Sequence, residues 1–228
     1  MDAEVPSPAR SETGDRYLEA VYYIGQEGEV ARPGRLAEWL GVSAPTVTVT
    51  LQRLARDGWV RIAEDRSVEL TDAGTEAAAG IVRRHRIVER WLTDVLRFDW
   101  ATADREAAAL APGISAIVLD RLDAELGHPV TCPHGNVIPG RRPPKGGRLT
   151  RLVDLAPGRE AMVARISEVA EHEAPHLLRV LDARGLVPGT AVRSLGGAGR
   201  EWRLEVRGDE IAVEPNVARA IWVDEQAD

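Results

Sequence analysis

Apolar positions recur at helical spacing through the first quarter of the chain. In YLEAVYYIGQ, residues 17–26, they put Tyr17, Leu18, Val21, Tyr22 and Ile24 on or near one face, which predicts a helix. A second short helix fits Arg35 to Leu40, with Gly41 placed to end it. Ser43-Ala44-Pro45 then offers a cap and a first-turn proline, opening a third helix through TVTVTLQRLARDG that stops near Gly58. WVRIAEDRSVELTDAG follows as two short β-rich runs around Glu64-Asp65-Arg66-Ser67, the pattern of a hairpin. Helix, helix, tight turn, helix, hairpin is the order of a winged helix-turn-helix, assigned to residues 13–76.

The pattern then stays helical. TDAGTEAAAGIVRRHRIVERWLTDVL carries Ile81, Ile87, Val88, Trp91, Leu92 and Val95, and is followed by WATADREAAALA and by SAIVLDRLDAELG, capped by Ser115 and closed by Gly127. The apolar residues of 77–138 exceed what one face of a lone helix buries, which suits a homodimer interface. RRPPKGGR, within 139–148, has linker composition. From Leu149 the texture turns to short β runs: LTRLVDLAP, EAMVARISEVA, TAVRSLGG, WRLEVRG and EIAVEPNVARAIWV. One helix around APHLLRVLDARG interrupts them, as in a small barrel over 149–226. The polar, proline-containing start, residues 1–12, reads as a disordered tail. The expected fold class is mostly α with β: a winged helix, a helical dimerisation domain and a small SH3-like β-barrel.

Composition narrows the function. A net charge of −7 argues against a coat for nucleic acid but leaves room for a local basic face. The single cysteine, Cys132, excludes an internal disulfide framework and fits a cytoplasmic protein, and no stretch approaches a membrane span. The helix after the Val42–Pro45 turn bears Ser43, Pro45, Thr46, Thr48, Val49 and Thr50 at its start and Arg53 and Arg56 later. Short polar side chains admit a helix to the major groove, while hydroxyls and guanidinium groups take phosphate oxygens. Arg66, at the hairpin tip, completes the expected contact set with a double-stranded DNA operator. An enzyme would need Cys132 as nucleophile with His134 or His128 as base, and the Pro-Gly-rich context offers neither a pocket nor an oriented base.

These motifs together resemble the diphtheria-toxin-repressor family of metal-dependent bacterial transcription regulators. The resemblance rests on VSAPTVTVTLQRLARDG, RRHRIVERWLTDVL, CPHGNVIPG and GLVPGT, and covers nearly the whole chain. It implies repression as a homodimer on a palindromic operator. It also implies two neighbouring metal sites and a terminal domain akin to a small ferrous-iron transport protein. The regulatory site's ligand positions fall on Arg16, Ala108, Ala111 and Pro112, none of which can donate to a cation. The resemblance carries the second site onto His85, Glu89, Asp104, Glu173 and His176. That imidazole and carboxylate shell is suited to Mn²⁺, Fe²⁺, Co²⁺ or Zn²⁺. His85 and Glu89 also share a helical face, although such a pair beside arginines equally fits a solvated salt-bridged surface. Two alternatives stay open: DNA binding without metal, with Arg16 pairing a carboxylate such as Glu106 in place of the cation or with a redox signal, and an adaptor acting through the barrel. TCPHGN is expected to be structural, because a Cys-x-His pair lacks convincingly spaced partner ligands nearby. Val49, where iron-type relatives present a Gln, can touch a thymine methyl but not make a bidentate base contact.

Overall fold

The computed structural model describes residues 11–143, 146–174, 176–198 and 200–225. The chain divides into two compact units, one ending at Val82 and the other beginning at Arg83. No helix among the described residues is long and apolar enough to cross a membrane.

The first unit is a winged helix-turn-helix. Helix α1 (Glu12–Gln26) starts at Ser11, whose side chain accepts from the Gly14 amide. Ser11 and Glu12, expected in the tail, belong to this helix start; the rest of that expectation, residues 1–10, lies outside the described residues. α2 (Pro33–Leu40) closes on Gly41 in the left-handed conformation, which a residue without Cβ adopts at little cost. α3 (Ala44–Arg56) is capped by the Ser43 hydroxyl, which accepts from the Thr46 amide. Leu18, Ile24, Leu36, Val47 and Leu51 are at most 1% exposed and form the centre of this unit's core. Strands β1 (Val60–Ile62) and β2 (Val68–Leu70) pair antiparallel as the wing.

α4 (Asp72–Asp94) runs through the division between the units. In the second unit, α5 (Trp100–Leu110) packs its alanines Ala103 and Ala107, with Ala111, against Val88 and Leu92 of α4. α6 (Ala116–Glu125) joins Leu119 to Ile87 and Ile138. The last part forms a six-stranded antiparallel sheet in the order β3-β8-β4-β5-β6-β7, consistent with an SH3-like domain. Its strands are β3 (Arg148–Arg151), β4 (Glu160–Ile166), β5 (Ala191–Ala198), β6 (Glu201–Val206), β7 (Asp209–Val213) and β8 (Ile221–Glu225).

Two runs read as continuous strand are broken by helix. β4 stops at Ile166 because Ser167 caps α7 (Glu168–Glu173), its side chain accepting from the Ala170 amide. α9 (Pro215–Ala220), begun by its proline, separates β7 from β8. The expected single helix is α8 (Leu177–Ala183), buried through Leu177, Leu178 and Leu181. A hub ties α4 and α6 to the start of the linker. There Asp123, 6% exposed, pairs with Arg83 at 2.7 Å, with Arg141, and with His128 at 3.2 Å.

Candidate nucleic-acid interface and metal centre

On α3 the helical period separates two faces. Val47, Thr50, Leu51 and Leu54 are buried, whereas Ser43, Pro45, Thr46, Thr48, Val49, Arg53 and Arg56 are exposed. Thr50 therefore leaves the expected contact set: it follows Val47 by three residues and so shares the inward face. Val49 is 67% exposed on that outward face. Gln52, absent from the expected contact set, is exposed one turn beyond Thr48 and Val49, and its i+4 spacing from Thr48 was the available signal.

The wing tip is fixed by Asp65, which accepts from the Ser67 hydroxyl at 2.6 Å and the Ser67 amide at 3.0 Å. These bonds, with one from Arg32, hold the Asp65 carboxyl down at about 2. Arg66 stands exposed beside it in the left-handed region at φ 66°. A groove of about 870 Å³ between α2, α3 and the wing is lined in part by Arg32, Arg35, Thr48, Asp65 and Arg66.

The second unit gathers donors around Glu89 of α4. His85, Glu89 and Asp104 bring one ligand atom each to within 4.8 Å of the others, with His85 Nε2 3.4 Å from Asp104 Oδ1. Burial pushes the Asp104 carboxyl up, but the hydrogen bond and charge of His85, with His134 and His172 beyond, hold it below the usual range. Of the two remaining members of the expected shell, only His176 has a described side chain, and it stays apart from this group. The Glu173 side chain lies outside the described residues, and His176 is exposed just before α8 and belongs to no donor group among the described residues.

In their place comes the TCPHGN loop, expected to be merely structural. Thr131 and Val137 form a β-bridge, and the Cys132 amide donates to the Asn136 carbonyl at 2.9 Å. The loop is fastened to β4: the Ile166 amide donates to the His134 carbonyl, and Asn136 Nδ2 to the Ile166 carbonyl, each at 2.9 Å. Gly135 has φ 85°, and a Cβ there would lie 2.1 Å from the Ala164 carbonyl oxygen. Only glycine fits both demands.

This loop brings Cys132 and His134 to Glu89, all three at most 2% exposed and grouped within 4.8 Å. His134 Nδ1 is 3.0 Å from Glu89 Oε1 and 3.6 Å from Glu171 Oε2 of α7. His134 Nε2 and Glu171 Oε1 are buried with no hydrogen-bond partner among the described residues. Such orphaned atoms are costly unless something else satisfies them.

Burial alone would lower the His134 pKa, but the charges of Glu171 and Glu89 overcome it and hold the imidazole well above its ordinary value. Glu171 is pushed well up by burial and by the neighbouring Glu168, Glu89 and Asp104. Burial and the Glu89 charge raise the Cys132 thiol to about 11. Glu168 is already committed, accepting from Arg86 at 2.7 Å. The site as a whole is proton-rich and anion-rich, a composition that a cation can neutralise.

The positions assigned by resemblance to the regulatory ligands offer no such gathering. Arg16, Ala108 and Pro112 are exposed and Ala111 is buried among α4 side chains, while Glu106 accepts from its neighbour Arg105 at 3.2 Å.

A winged helix followed by a donor-bearing helical region and a small sheet domain defines a DNA-binding regulator with a candidate metal centre. Comparison with known proteins makes this specific. Residues 11–68 match the N-terminal DNA-binding domain of the iron dependent repressors, residues 71–140 their metal binding and dimerisation domain, and residues 150–225 the FeoA domain. The iron-dependent repressor IdeR of Mycobacterium tuberculosis is 34% identical over 224 residues, spanning 93% of this chain and 97% of that protein. The diphtheria toxin repressor of Corynebacterium diphtheriae is 32% identical over 222 residues, spanning 94% and 97%. A solved manganese-dependent transcriptional repressor in complex with manganese superposes with a TM-score of 0.82 at 31% identity, over 93% of this chain and 99% of the other. ScaR with bound Zn²⁺ gives 0.76 at 28% identity over 93% and 99%. The chain belongs to the iron-dependent repressor family, a family of DNA-binding transcription regulators and not of enzymes.

Proposed function

We propose that this protein is a cytoplasmic, homodimeric repressor that binds a palindromic operator in response to a divalent transition metal. The cation is held by the cluster around Glu89, not at Arg16, Ala108, Ala111 and Pro112. The observation that supports this most is the meeting of the buried Glu89, Cys132 and His134 donors within 4.8 Å, with Glu171 Oε2 3.6 Å from His134 Nδ1. Cation ligands at 2.0–2.3 Å from a shared ion stand roughly 3–4 Å apart, so donor separations of 3.0–3.6 Å fit with little movement.

A bound divalent ion supplies the positive charge these carboxylates and the thiol lack. The residues do the rest. Glu89 and His85 come from α4, Asp104 from α5, Cys132 and His134 from the loop, and Glu171 from the SH3-like domain. Fixing them together stiffens the whole second unit. The thiol softens the donor set, favouring Fe²⁺, Co²⁺ or Zn²⁺ more than a shell of imidazole and carboxylate alone would. On DNA, Ser43, Pro45, Thr46, Thr48, Val49 and Gln52 form the base-facing set, and Arg53, Arg56 and Arg66 take phosphates.

The test is selection of a bound sequence from a random duplex library, followed by anisotropy titrations with chelator or with each metal. Binding should be sequence-selective, should weaken steeply with salt and should tighten about tenfold or more with metal. Selective binding that ignores metal and chelator would sink metal control and favour the constitutive reading. Absence of selective binding would sink the operator itself.

A further inference from the structure

At about 100° per residue, Pro45, Val49, Gln52 and Arg56 fall within about 60° of one another around α3. All four are exposed, so they form one outward stripe along the helix. We propose that Val49 reads the C5 methyl group of a pyrimidine in the major groove. Thymine satisfies it, and a cytosine in the same place does so only when methylated at C5. Cytosine methylation of such a site therefore raises affinity. This rests on the proposed operator binding and adds the determinant of one base position, with a chemical modification of DNA to which the protein responds.

Three observations carry it. First, the hydroxyls nearest Val49 are turned back on their own helix. Thr48 Oγ1 donates to the Ala44 carbonyl at 3.0 Å. The Ser43 and Thr46 hydroxyls share a hydrogen bond at 2.8 Å, and Ser43 Oγ also accepts from the Thr46 amide. What this part of α3 offers a base edge is then mainly carbon: the Pro45 ring and the Val49 isopropyl group.

Second, the core does not use Val49. The same helix buries Val47, Leu51 and Leu54, whereas Val49 is 67% exposed. Its isopropyl group is free to pack against something outside the chain.

Third, the surroundings are cationic. Arg53 and Arg56 on α3 and Arg66 at the wing tip are all exposed, which suits the phosphates that border a groove. The surface that faces Val49 between those phosphates is a base edge.

Among the four bases, only thymine presents a methyl group in the major groove. An isopropyl group gains by covering that methyl. Against the cytosine amino group it only displaces water and returns no hydrogen bond. 5-Methylcytosine carries the same methyl at the same ring position. Gln52, about 4.5 Å further along the axis, is the only amide side chain of α3 and takes the hydrogen-bonding role at a neighbouring base pair.

The experiment uses the full chain and the duplex recovered from the random library, in whichever of the chelated or metal-loaded states binds selectively. Each thymine is replaced in turn by deoxyuridine, which removes only the methyl group, and affinity is read by anisotropy. One position per half-site should lose about fourfold, and about fifteenfold when both half-sites are changed. A cytosine at that position, paired with guanine, should bind more weakly still, and 5-methylcytosine should recover about fourfold per half-site. Val49→Ala, a truncation at an exposed site, should remove both responses. Gln52→Ala should keep both and relax selectivity at a different base pair. Indifference to deoxyuridine at every thymine overturns the methyl reading while operator binding stands. So does a loss that persists unchanged in Val49→Ala. A deoxyuridine response with no recovery by 5-methylcytosine overturns the response to cytosine methylation. Failure to recover any selective duplex overturns both this reading and the proposed operator.

Discussion

Two short stretches of the second unit form an instructive contrast. Residues 106–113 end α5 with exposed Ala108, Ala109 and Leu110, a turn over Ala111–Gly113, and no donor beyond Glu106, which pairs with its own neighbour. Residues 131–137 form a loop bolted to β4, with Cys132 and His134 at 1% exposure inside a ring of acids. The α5 end holds the positions that the family resemblance assigns to regulation, yet its only buried work is alanine packing against α4. The loop has the composition of a plain connector and brings two buried donor side chains to Glu89. Donor atoms matter where the backbone that carries them is held, and here that hold comes from the SH3-like domain.

The contrast can be broken most severely at Gly135. Gly135→Ala forces a left-handed Cβ into the Ala164 carbonyl, and we expect a loss of about 3 kcal/mol in chemical denaturation together with lost metal uptake. Unchanged stability would show that the loop is not clamped. A smaller effect comes from pH. The Cys132 thiol is raised to about 11 and His134 and Glu171 are raised from their ordinary values, so the group holds protons, that of the thiol among them, that a metal must displace. Metal affinity should therefore fall as pH falls, by about 1.4 kcal/mol per pH unit for each proton released. Calorimetry in buffers of different ionisation enthalpy counts those protons, and a count of zero would remove this chemistry from the centre. The smallest effect belongs to the vacated stretch: Ala108→Ser should change stability by less than about 0.5 kcal/mol and leave the metal stoichiometry alone. A lost equivalent in that variant would restore a metal role to the end of α5.

The winged helix was legible because its signals are local. Ser43, Pro45 and Gly41 mark caps and turns within a few residues of the helices they bound, and the apolar period of α3 exposes the same face in sequence and structure. The error at Thr50 came from weighing a hydroxyl's chemistry above its place in that period. Strand ends in the last domain were harder. Ser167 and Pro215 start helices inside β-rich runs, and both were visible as cap and first-turn residues but outweighed by their neighbours' β-propensity. The donor cluster proposed as the metal centre was only partly visible along the chain. His85 and Glu89 lie one turn apart on a single helix. Cys132, His134 and Glu171 approach Glu89 only through tertiary folding, and no spacing along the chain encodes that meeting. A cysteine, a histidine and a glycine within four residues, bracketed by Pro133 and Asn136, were the available hint.

The fastening of the loop to β4 also closes a circuit. The chain leaves the loop at Val137, runs through the linker, crosses β3 and returns as β4 to bond the loop it left. A cut anywhere along that detour would open the covalent path without undoing the bonds from Ile166 to His134 and Asn136. The severed pieces would migrate together, and the SH3-like domain would behave as a built-in subunit of the helical region and not as a pendant on a tether.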